Sequence, residues 1–147
     1  MFIYLLKKII FRHVHLLYVA TSDGLIKKIS VLPRTKETCV VEIWKPSPSG
    51  ISLPIKTLKY LKETDSVYVG LETGVLRIPT SHCHRHKTKA SCHNAMDPHC
   101  GWNELLLQCT TAPDGNPLSS HWFQSVTQCP LLNVPGKFLL RLFVCCL

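Results

Sequence analysis

From Cys83 to Cys109 the chain reads CHRHKTKASCHNAMDPHCGWNELLLQC, and with Cys129 this region places five cysteines within 47 residues. That density marks a small disulfide-stapled module of an extracellular protein. A module of this size has too little apolar surface to offset its chain entropy, so covalent loops must supply part of the stability. A cross-link closing about 15 residues contributes roughly 3 kcal/mol. Four cysteines allow three connectivities, and spacing alone does not choose among them. In the run DPHCGW, Asp97 and Pro98 read as turn residues, and Gly101 lets the backbone turn closely beside a disulfide. Trp102 can cover the sulfur cluster as a small core, with Trp122 adding to it; the functional alternative is an exposed binding tryptophan.

Upstream lies an internal repeat. Leu17 to Lys27 (LYVATSDGLIK) aligns without a gap, at an offset of 50 residues, with Val67 to Arg77 (VYVGLETGVLR). Each copy is an apolar β-prone run, a tight turn ending in glycine and a second apolar run, which predicts a β-hairpin. Between the copies Thr38 to Trp44 (TCVVEIW) and Ile55 to Leu61 (IKTLKYL) supply two more strands. Four strands in a period of 40 to 50 residues is the make-up of a β-propeller blade. Two unrelated hairpins in a sandwich or meander are the bland alternative.

The 147 residues cannot close a propeller, which needs at least four blades of about 40 residues. About a blade and a half is expected, and therefore a fragment, a short isoform or an incomplete gene model. Pro79 ends the last strand, and turns, cysteines and histidines then replace apolar alternation, so the boundary falls at residues 80–82.

The net charge of +8 comes from scattered Lys and Arg, with clusters at Lys7 and Lys8, at Lys27 and Lys28, and from His82 to Lys89. Such a balance favours anionic partners or is simply a solvated basic surface. No recognition helix or aromatic platform accompanies it, so nucleic acid is not expected. The first 19 residues are broken by Lys7, Lys8, Arg12, His13 and His15, and show neither an ordered secretory signal nor a membrane span. The tail Pro135 to Leu147 (PGKFLLRLFVCCL) is apolar but too short to span, and reads as a stray segment rather than a lipidated one at Cys145 and Cys146.

The residues from Cys83 to Cys109 resemble the PSI module shared by plexins, semaphorins and integrins, with DPHCGW as the most specific part. VYVGLETGVLRIPTSHC, Val67 to Cys83, resembles the closing segment of a semaphorin propeller, and LYVATSDGLIKKIS with TCVVEIW the blade before it. The resemblance implies a mostly β fold: the C-terminal part of a sema propeller over 16–80 and the PSI module over 83–130. It leaves 1–15 and 131–147 as off-family segments. Within the family the chain is most similar to class 5. Many members have a cysteine six residues after the first, where this chain has Lys89, and class 5 members lack it; the exit CPLLNV, Cys129 to Val134, is also similar. In that class thrombospondin type 1 repeats and a transmembrane helix follow.

The resemblance further implies disulfides Cys83–Cys100 and Cys92–Cys109, with Asp97, Pro98, Gly101 and Trp102 as the structural core of the module. Cys129 is left with no obvious partner. Cys39 is unpaired on this reading, either a buried reduced thiol or bonded to a blade outside the chain. The function implied is extracellular or plasma-membrane signalling. The implied partners are a plexin-type receptor and, through the complete propeller, a second copy. A plexin ectodomain, with the same domain order, is the alternative within the resemblance.

Two rivals come from other classes. The basic run offers Arg85, Lys87 and Lys89 to a glycosaminoglycan, which would make the chain a matrix-binding fragment. His82, Cys83, His84, His86, Cys92, His93, His99 and Cys100 offer zinc ligands for an intracellular module, but no C-x2-C pair is present. No metal, cofactor or catalytic residue is expected, because bonded cysteines cannot act as nucleophiles and no phosphate loop or carboxylate pair appears.

Overall fold

The computed structural model describes residues 3–9, 14–46 and 53–130. The expectations for the tail 131–147, including Cys145 and Cys146, lie outside the described residues. Strands β1 (Ile3–Ile9), β2 (Val14–Ala20), β3 (Ile26–Val31) and β4 (Thr38–Trp44) form an antiparallel sheet in chain order. Strands β5 (Thr57–Leu61), β6 (Ser66–Leu71) and β7 (Gly74–Pro79) form a second. The repeat thus becomes the β2–β3 and β6–β7 hairpins, with TCVVEIW as the last strand of one sheet and TLKYL as the first of the next. The structure also extends the first sheet into the segment read as off-family, since Ile3–Ile9 pairs along its whole length with β2.

Each hairpin follows from its residues. Gly24 adopts φ 75° in the turn between β2 and β3, a conformation that costs a residue with a Cβ. On β2, Val14, Leu16 and Tyr18 are buried in alternation, as one core-facing side of a strand requires. Tyr18, Ile26 and Trp44 from the first sheet pack with Leu58, Val67, Val69 and Ile78 from the second. Tyr18 and Trp44 stack with ring centroids 5.6 Å apart. Burial, and after it the nearby Asp97 charge, raises the Tyr18 phenol well above its ordinary pKa.

The cysteine-rich module holds a short helix α1 (Lys89–Asn94) and a small sheet of β8 (Gly101–Asn103), β9 (Gln108–Thr110) and β10 (Trp122–Phe123), ordered β10-β8-β9. Thr88 starts α1 through a capping box: its hydroxyl accepts from the Ser91 amide, and the Ser91 hydroxyl accepts from the Thr88 amide. The fold is mostly β, with the module appended to two blade-like sheets.

Candidate functional site

The module is fastened to the first sheet, and the fastening begins with a cross-strand pair. Lys28 on β3 stands opposite Glu42 on β4, so both side chains leave the same face of the sheet. A register shift between Lys28 and Ile29 follows immediately, and a bulge of this kind redirects side chains. Tyr18 and Trp44 continue that face toward the second sheet, while Lys28 and Glu42 meet the module.

Lys28 is fully buried and Asp97 is 3% exposed. The Lys28 ammonium donates to both Asp97 carboxylate oxygens, at 2.8 and 2.7 Å, and to the Thr80 carbonyl at 2.8 Å. Three oxygens therefore satisfy its three protons. Burial alone would raise the Asp97 pKa, but the Lys28 charge beside it, with the His99 contacts, holds the carboxyl well below the ordinary carboxylate range. Asp97 also accepts from the His99 amide at 2.9 Å, while its carbonyl accepts from the Cys100 amide, so one residue shapes the DPHC turn and anchors it. Gln124 closes the turn by donating to the carbonyls of Pro98 and Cys100.

Two further clasps flank this pair. Buried Glu42 accepts from Arg85 at 2.8 Å and lies 3.1 Å from His82 Nδ1. Cys39 at the start of β4 is bonded to Cys129 at the end of the module, beside Leu32 and Val126. This corrects two expectations: Cys39 is neither a reduced thiol nor dependent on another blade, and Cys129 has a partner. The bond joins strands and module across 90 residues of sequence, a pairing that no local spacing could announce. Lys28 is likewise no part of a solvated basic cluster. Its only sequence signal was a lysine at an inward position of an otherwise apolar hairpin.

Cys83 is bonded to Cys100 and Cys92 to Cys109, each across 17 residues, so the two loops interlock. Trp102 packs among these four cysteines and is buried, so it is not an exposed binding residue. Gly101 has a different role from the one expected. It lies in β8, and a Cβ there would overlap the Trp122 indole and come within 2.8 Å of the Phe123 carbonyl oxygen. The missing side chain makes room for Trp122, whose indole N–H donates to the Thr110 carbonyl. Gly101→Ala should therefore lower stability by about 1–3 kcal/mol through overpacking. Thermal unfolding would read it, and an unchanged midpoint would mean Trp122 swings aside freely.

Of the three basic residues offered to a glycan, Arg85 is engaged by Glu42, Lys89 by Glu104, and Lys87 is exposed. Among the described residues no group of three or more His, Cys, Asp or Glu side chains could hold a metal ion. No helix among them is long and apolar enough to cross a membrane. The Lys28–Asp97 and Glu42–Arg85 ion pairs and the Cys39–Cys129 bond together join the module to the first sheet.

Residues 82–130 match the family model described as PSI: Plexin repeat. The chain is 43% identical over 125 residues to Semaphorin 5c of Drosophila melanogaster, covering 83% of the chain and 11% of that protein. It is 38% identical over 128 residues to Semaphorin-5A of Rattus norvegicus, covering 85% of the chain and 12% of that protein. The fold resembles that of Drosophila Semaphorin 1b, extracellular domains 1-2, with TM-score 0.65 and 19% identity over 87% of this chain and 27% of that one. The chain thus spans little more than a tenth of the length of the curated relatives it matches.

Proposed function

We propose that this chain belongs to the semaphorins, closest to class 5, and is a segment carrying the end of the propeller over 16–80 and the PSI module over 83–130. The longer protein is an extracellular or plasma-membrane signalling molecule that engages a plexin-type receptor in axon guidance and cell migration. Recognition of that kind is a large-surface protein contact. This segment serves it as a strut, fixing the angle at which the propeller stands on whatever follows Cys129.

The buried Lys28–Asp97 pair between sheet and module carries the reading, since a flexible tether would have no use for a desolvated charge pair across its joint. The class 5 assignment is supported by the two class 5 relatives and by Lys89. Cys129, at the end of the module, is bonded to Cys39. The glycan reading is less favoured, because Arg85 and Lys89 already face carboxylates.

A chimera tests the proposal. A class 5 semaphorin ectodomain carrying residues 14–130 of this chain in place of its own stretch is expected to be secreted and to bind plexin ectodomains as the parent does in surface plasmon resonance. Secretion with intact disulfides but no plexin binding, where the parent binds, would sink it.

A further inference from the structure

We propose that the tip of the β8–β9 hairpin is a membrane-contact site, inserting Leu105, Leu106 and Leu107 among the headgroups and upper acyl chains of a bilayer with anionic lipid. These three consecutive leucines are 70%, 59% and 67% exposed. They are held rather than loose: the Asn103 side chain accepts from the amides of both Leu105 and Leu106 at 3.0 Å. Leu107 sits at φ 51°, a left-handed conformation that normally selects glycine or asparagine. Hairpin turns favour small polar residues, so a leucine triplet here breaks local turn chemistry and gains no burial in return. Such a violation, without a structural benefit, points to a surface function.

The shape and charge of the tip favour a lipid surface over a protein groove. The leucines lie in a four-residue turn between paired strands and stand exposed at the hairpin tip, with Leu107 also lining a recess beside it. Behind them, Lys87, His84 and His86 line the same recess as Leu107 and Gln108, with Lys87 exposed. The acidic residue at the base of the tip, Glu104, is engaged by Lys89. An apolar tip with the exposed Lys87 ammonium beside it suits interfacial insertion next to anionic headgroups. Because the loop is already ordered, insertion carries little conformational cost.

The test is sedimentation of the full chain, secreted and oxidised, with phosphatidylcholine vesicles with and without phosphatidylserine. Binding is expected to be stronger with phosphatidylserine. The triple variant Leu105→Ser, Leu106→Ser, Leu107→Gly is expected to lose about tenfold or more of its partitioning. Its melting temperature should be kept, since glycine suits the left-handed position. Vesicle binding unchanged in a folded variant, or absent from the native chain, overturns the proposal. So does concentration-dependent dimerisation in size-exclusion chromatography that the triple variant abolishes, which would make a second copy the occupant.

Discussion

Asp97→Asn is expected to lower the unfolding free energy by about 3–5 kcal/mol, because it strips the counter-charge from an ammonium that has no access to water. Asparagine keeps an acceptor for the His99 amide, so the turn is largely retained and the loss reports the charge. Lys28→Met should cost a similar amount by stranding the carboxylate. The double variant Lys28→Met with Asp97→Leu should recover most of the loss, since a buried pair replaced by apolar groups is often neutral. Urea unfolding of the oxidised chain measures all three. A double variant as unstable as the sum of the singles would mean the two side chains act independently.

The same pair sets the acid response. The folded-state Asp97 pKa lies below that of the unfolded chain, so the contribution is fully present above the ordinary carboxylate range near 4 and is lost as pH falls below it. Stability of the native chain should therefore decline more steeply below about pH 4 than that of the double variant. Parallel profiles would remove Asp97 from the acid transition.

Cys39→Ala with Cys129→Ala is expected to cost about 4–5 kcal/mol, since the bond closes a loop with a sequence separation of 90 residues and chain entropy grows with the logarithm of that length. Cys92→Ala with Cys109→Ala, separated by 17 residues, should cost about 3 kcal/mol. The difference is also spatial. Loss of the long bond should leave the interlocked pair intact while the module detaches more readily from the sheet, seen as faster proteolysis near residues 80–82. Equal sensitivity to protease in both variants would argue against a joint held by Cys39 and Cys129.

The strands were legible because hairpin chemistry is local. Gapless alignment of LYVATSDGLIK with VYVGLETGVLR, each with glycine at its turn, suffices to place two equivalent hairpins, and TCVVEIW between them follows from β-branched and aromatic content. The segment Ile3–Ile9 was not legible, because Lys7 and Lys8 break its apolar run and only pairing with β2 makes it a strand. DPHCGW identified the module, yet what its residues do was divided. Trp102 among sulfurs is a matter of composition, whereas Gly101 yields space to Trp122, which lies 21 positions away and reaches it only through β10.

By itself, then, the sequence determined the β character, the hairpin repeat, the cysteine density and the point where strands give way to the module, since each is written in neighbouring residues. Only the tertiary structure decided that Lys28 is a buried anchor rather than a surface charge, that Asp97 is its partner and that Cys39 bonds Cys129. Those contacts span 69 and 90 residues, and whether a lysine or a thiol meets water or a partner depends on what the folded chain brings against it.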